Sequence, residues 1–110
     1  MYPYDFQNKT WKEIAHYIEK AALLFLPIGS TEAHGPHLPL STDTIISVEM
    51  SRRAANLLAQ QKRLALVLPP ISYSVTDFSA NFPGSISISA QTATSLITDL
   101  CCSLINQGFK

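Results

Sequence analysis

The chain has 110 residues, with eight Lys+Arg against eight Asp+Glu and 46% hydrophobic residues. That length holds one domain of modest size, and the apolar content is that of a folded protein rather than a disordered one. Balanced charge excludes the basic footprint of a nucleic-acid binder, and no apolar run is long enough to span a bilayer.

The N-terminal MYPYDFQNKTWK lacks the basic-then-apolar order of a signal peptide. Thr10-Trp11-Lys12-Glu13 has the capping-box form, with Thr10 as N-cap and Glu13 three residues on. Trp11, Ile14, Ala15 and Ile18 follow at helical spacing, which predicts a first helix to about Lys20, with His16 facing solvent. Ala21 to Ile28 is continuously apolar, the pattern of a strand buried on both faces. A loop follows, IGSTEAHGPHLPLSTD. A second helix is expected from Asp43 to about Gln61, with Ile46, Met50, Ala54, Leu57 and Leu58 on one face. Leu64 to Leu68 reads as a second buried strand, stopped by Pro69-Pro70. Strand, helix and strand in that order make a βαβ unit.

Ile71 to Pro83 is an irregular loop rich in serine and aromatics. Ser85-Ile86-Ser87-Ile88-Ser89 alternates as a short strand or extended edge. A third helix is expected from about Ala90 to Gln107, capped by Ser89 and closed by Gly108. Cys101 and Cys102 on it are adjacent, so they make neither the usual disulfide nor a zinc site alone, and they read as packing residues. A reduced, cytoplasmic setting is the expectation, with no nucleic-acid and no membrane partner.

Two firm strands and three helices make a thin sheet with an open edge. The chain reads as the front part of a larger α/β domain. The alternative is that a partner chain or a second copy supplies the edge.

The loop after the first strand concentrates the chemistry. It holds Glu32, His34, His37 and Asp43 at the carboxyl end of a strand, where open parallel sheets place ligands. Glu32 and His34 are two apart, so an extended backbone points both side chains the same way. A carboxylate beside an imidazole suits zinc or manganese. Gly29, Gly35, Pro36 and Pro39 let the loop return Asp43 toward the pair. Two readings of Asp43 stay open here: a ligand, or a cap on the second helix. His37 is a third ligand, a donor behind the ligands, or a loop residue.

The residues Leu26-Pro27-Ile28-Gly29-Ser30-Thr31-Glu32-Ala33-His34-Gly35-Pro36-His37-Leu38-Pro39-Leu40-Ser41-Thr42-Asp43 resemble the signature of the creatininase (creatinine amidohydrolase) family. Phe82-Pro83-Gly84-Ser85-Ile86-Ser87-Ile88 resembles its Phe-Pro-Gly-Thr-Ile-Ser-Leu segment. The resemblance implies a three-layer α/β/α fold with a mostly parallel sheet, of which residues 1–110 would be the N-terminal part, ending after the third helix. It implies a metal-dependent hydrolase of cyclic or linear amides, acting on C–N bonds, often hexameric, with two zinc or manganese ions. Glu32 would bind one ion, His34 the other, and Asp43 would bridge both. The family's further histidine motif and later acidic ligand would lie beyond Lys110, so the site in this chain is incomplete. The alternative is a truncated, non-catalytic member acting as a binding or assembly module. Ser74 stands where many members have glycine, and Asp77 to Ala80 carries no histidine where members commonly have one, so substrate contacts from that loop should differ.

Overall fold

The computed structural model describes residues 2–110, so the first residue of the expected 1–110 domain lies outside the described residues. Three helices and two strands alternate: α1 (Trp11–Glu19), β1 (Leu23–Phe25), α2 (Thr42–Gln60), β2 (Ala65–Val67) and α3 (Ala90–Gln107). β1 and β2 pair in parallel, with Leu23 opposite Ala65 and Phe25 opposite Val67, and α2 makes the crossover between them. This is the α/β arrangement that the order of patterns predicts. Among the described residues no helix is long and apolar enough to cross a membrane.

α1 starts where the capping box puts it: Glu13 N–H donates to Thr10 Oγ1, and Thr10 N–H donates to the Glu13 carboxylate at 2.7 Å. Its apolar face is less covered than its spacing predicts. Ile14 and Ile18 are half-buried, but Trp11 and Ala15 are exposed. His16 faces solvent.

The first strand is shorter and more open than its unbroken apolar run predicts. Pro27 has no N–H to donate, so the ladder breaks after Phe25 and resumes as a single bridge between Ile28 and Ile71. β2 is buried at all three positions, whereas β1 exposes Leu23 and half-buries the next two residues. The cause lies at the N-terminus. Asp5 bridges to Val67 in parallel, and Val67 N–H donates to the Tyr4 carbonyl at 2.9 Å. β2 is therefore flanked on both sides, and β1 on one.

That N-terminal strap is held by charge. The buried Asp5 carboxylate accepts from Arg52 of α2 at 2.7 and 3.2 Å, and the Tyr2 ring lies under the same guanidinium. The bond to Asp5 pushes the guanidinium pKa further up. Nothing in the composition of MYPYDF signals a sheet edge.

α2 packs with only part of the expected face: Ala54 and Leu58 are half-buried, and Leu58 lies against the core. Ala55 is fully buried and Thr44, Ser47, Val48, Ser51 and Leu58 are half-buried, while Ile46, Met50 and Leu57 are exposed, Met50 at 59%. Small side chains let the helix sit close on β2, where Ala55 joins Ala65 and Val67 in the core. Ile45, Ile46, Met50 and Leu57 are turned outward.

α3 matches its predicted bounds. Ser89 Oγ accepts from Thr92 N–H at 3.1 Å, and Gly108 closes the helix at φ 115°. Cys101 and Cys102 are exposed rather than packed, because α3 buries none of its residues fully. The anchor lies just past its end, where the buried Phe109 meets the Phe6 ring. Ser85 to Ser89 is an extended edge with one bridge, Ser74 to Ser87.

Candidate metal centre

The loop between β1 and α2 is braced on two sides. Gly29 comes so close to the first turn of α2 that a Cβ there would lie 2.6 Å from the Thr44 backbone nitrogen. The next residue, Ser30, donates its N–H to Asp43 Oδ2 at 2.9 Å. Serine and threonine hydroxyls tie the following residues to the rest of the chain. Ser30 Oγ hydrogen-bonds Ser74 Oγ, Thr31 Oγ1 donates to the Ser72 carbonyl at 2.8 Å, and Ala33 N–H donates to Ser85 Oγ at 2.9 Å. Backbone bonds complete the frame: Ile86 N–H to the Thr31 carbonyl at 2.9 Å and Glu32 N–H to the Leu40 carbonyl at 3.2 Å.

Glu32 and His34 lie side by side within this frame. Glu32 Oε2 is 3.4 Å from His34 Nε2. The two are not aligned as a hydrogen bond, and His34 Nε2 is buried without any hydrogen-bond partner. A buried ring nitrogen with no partner is costly unless something occupies it. The chain then turns back on itself. His34 bridges to Leu38, and Gly35 takes φ +70°, a left-handed conformation suited to glycine. His37 sits exposed at the tip of that turn.

Asp43 does not cap α2. It lies within the first helical turn, Ser41 is the N-cap residue without a side-chain bond, and the Asp43 carboxylate reaches across to Ser30 instead. Among the described residues no group of three or more His, Cys, Asp and Glu side chains is gathered closely enough to hold a metal ion. The structure thus brings Glu32 and His34 together, and ties Asp43 to the same loop two residues before Glu32.

The serines are what sequence reasoning missed. Ser30, Ser74 and Ser85 brace the loop, and the signal was present in the alternating Ser85-Ile86-Ser87 and in the Ser72-Tyr73-Ser74 run. Ser74 supplies one of these bonds.

An open cleft of about 360 Å³ is lined by Ala33, Gly35, Pro36, Phe78, Ser79 and Phe82. The turn carrying Phe78 is itself pinned. Thr76 Oγ1 and Ser79 Oγ hydrogen-bond at 2.5 Å, and Ser87 Oγ donates to Asp77 Oδ1 at 2.7 Å.

Residues 7–110 match the family model for Creatininase: Creatinine amidohydrolase. The chain belongs to the creatininase family. Its relatives include the mycofactocin precursor peptide peptidase of Mycolicibacterium smegmatis, 37% identical over 78 residues, a match covering 70% of this chain and 32% of that protein. Among solved structures, a manganese form of creatininase superposes with a TM-score of 0.88 at 26% identity, covering 96% of this chain and 42% of that one. A creatininase variant of Zn-Zn type superposes at 0.84 with 27% identity, covering 94% of this chain and 40% of that one. The chain spans about a third of the length of the curated relatives it matches. The chain carries the creatininase α/β fold.

Proposed function

We propose that this chain is the N-terminal part of a creatininase-type amidohydrolase, and that Glu32, His34 and Asp43 are its share of a two-metal site. One observation carries the reading: His34 Nε2 is buried, has no hydrogen-bond partner and faces the Glu32 carboxylate at 3.4 Å. A divalent ion held by both would satisfy each. A bound zinc or manganese supplies polarisation of the amide carbonyl and activation of a water. The chain's own residues do the rest. Glu32 and His34 present an acidic oxygen and an imidazole nitrogen from one braced strand-like segment. Asp43 is held through Oδ2 by the Ser30 N–H, which orients its carboxylate, and it would be shared between the two ions. The substrate is a cyclic or linear amide, and relatives named for creatinine and for a precursor peptide mark that range.

Binding of Mn²⁺, followed as paramagnetic line broadening of assigned amides, tests the site. Broadening centred on Glu32 and His34, lost in Glu32→Gln and His34→Ala, supports it. No localised broadening overturns it. Hydrolysis of creatinine and of short peptides by the metal-loaded chain is expected to be weak, because no third ligand closes on the pair among the described residues. The same observation favours a second reading, a non-catalytic member acting as a binding or assembly module. Metal-dependent turnover abolished by chelator would exclude that second reading.

The cytoplasm as setting and a homo-oligomer as working form belong to this proposal. The outward Ile46, Met50 and Leu57 of α2 support self-association. Sedimentation should find oligomers that Met50→Lys weakens, and a stable monomer at high concentration would contradict it.

A further inference from the structure

We propose that Ser85 is a positioning residue for the Glu32–His34 pair: its hydroxyl oxygen holds the peptide between Glu32 and Ala33 and so sets how the two side chains meet. This rests on the metal-site reading of the pair and adds to it a residue from a distant segment. The contact is the hydrogen bond from the Ala33 N–H to Ser85 Oγ at 2.9 Å.

The place of that bond decides its effect. The Glu32 and His34 side chains are related through ψ of Glu32, φ and ψ of Ala33, and φ of His34. The Ala33 N–H belongs to the peptide unit between ψ of Glu32 and φ of Ala33, so fixing its direction fixes both rotations. The ends of the segment are held by backbone: Glu32 N–H donates to the Leu40 carbonyl at 3.2 Å, and His34 bridges to Leu38. The middle is held by Ser85, and among the described residues no other side chain hydrogen-bonds the backbone of residues 32–34. Ser85 is itself fixed. Its N–H donates to the Phe82 carbonyl at 3.1 Å, and the Ile86 N–H that follows donates to the Thr31 carbonyl at 2.9 Å.

Nothing between the two side chains locks their separation, because Glu32 Oε2 and His34 Nε2 are 3.4 Å apart and Nε2 has no hydrogen-bond partner. The backbone has to set it. Without the Ser85 oxygen, the peptide is free to turn its N–H toward water, and the carboxylate and the imidazole lose their alignment. Residues that orient metal ligands from behind typically change metal affinity by about 10–100-fold.

Ser87 supplies the control. It lies two residues further along the same extended segment, and its Oγ accepts the Thr76 N–H at 2.9 Å. That bond has the same kind and length, yet it touches neither Glu32 nor His34.

Two readouts on the full chain test the role. In the metal-free protein, the NOE between the Glu32 and His34 side chains should be strong in wild type and in Ser87→Ala, and weak in Ser85→Ala. Mn²⁺ affinity, read from the EPR signal of the free ion, should fall about tenfold in Ser85→Ala and stay near the wild-type value in Ser87→Ala. Ser85→Thr keeps the acceptor oxygen and should restore both readouts. Ser85→Cys offers only a weak sulfur acceptor and should move both in the direction of alanine, which gives a second reading if the alanine variant unfolds. A wild-type NOE that is absent, or that the Ser85 variants leave unchanged, overturns the inference, and so does an equal loss in Ser87→Ala. The metal reading fails separately. No Mn²⁺ binding by the wild-type chain, with an NOE that still depends on Ser85, overturns the metal site and supports the positioning role. Mn²⁺ binding that Ser85→Ala leaves unchanged overturns the positioning role alone.

Discussion

Asp43, in the first turn of α2, accepts a hydrogen bond at 2.9 Å from the backbone N–H of Ser30, thirteen residues earlier in the loop that follows β1. One carboxylate of the helix thus fixes the course of the loop. Ser30 is buried, so its N–H has no water to turn to. Asp43→Ala should cost about 1–3 kcal/mol by leaving that donor unsatisfied. Asp43→Asn keeps an acceptor oxygen and should cost less, yet weaken Mn²⁺ binding. Urea denaturation and metal titration of the two variants separate the structural role from the ligand role.

Gly29 makes the close approach possible. A Cβ at this position would press on the Thr44 backbone rather than on a flexible side chain, with 2.6 Å to its nitrogen and 2.7 Å to its Cα. The loop or the helix must shift. Gly29→Ala should destabilise by about 1–3 kcal/mol, the usual penalty of overpacking. It should also lengthen the contact between Ser30 and Asp43, seen as a changed Ser30 amide shift. A melting temperature equal to wild type would contradict the contact.

The charge state of Glu13 controls the start of α1. The N–H of Thr10 donates to its carboxylate and holds its pKa below the ordinary value, with the Thr10 side chain adding to the effect. A lowered folded-state pKa means stabilisation fully present above the unfolded value near 4.5 and lost as pH falls through the folded one. The gap between wild type and Glu13→Gln should therefore be largest near neutral pH and shrink on acidification. Chemical denaturation at pH 7 and pH 3 checks the sign, and a gap that widens on acidification would refute it.

Asp5 and Arg52 make the remaining charged contact of consequence. Removing Arg52 leaves the Asp5 carboxylate buried without its cation. Arg52→Ala should destabilise strongly, though by less than the about 3–5 kcal/mol of a fully enclosed pair, since the Arg52 side chain is about a third exposed. Arg52→Ala should also release the strap, visible as faster amide exchange at Val67.

The parts of the fold read correctly from sequence are those set by local chemistry. The capping box at Thr10 and Glu13 and the Ser89 and Gly108 caps on α3 each depend on residues within four positions. Burial depends on what lies opposite, and there the sequence misled. Ile46, Met50 and Leu57 have helical spacing and larger apolar side chains than Ser47, Ser51 and Ala55, yet the small side packs, because β2 is approached closely. An apolar run such as Ala21 to Ile28 does not reveal that β1 has a neighbour on one side. At the loop, the two-residue spacing of Glu32 and His34 was legible because extended backbone alternates its side chains. The serine brace was not, since it joins residues up to 52 positions apart.

The strap has a consequence for the order in which the molecule is made. Tyr4 and Asp5 leave the ribosome well before their partners Arg52 and Val67 are synthesised. At about 5–20 residues per second, the delay to Val67 is roughly 3–12 s. During that interval Tyr2, Tyr4 and Phe6 have no strand to lie against, and the helix between them and β1 can already have formed. The outer edge of β2 is therefore closed by a segment made long before it, and a nascent protein stalled before Arg52 would carry Tyr2, Tyr4 and Phe6 without the strand that this segment flanks.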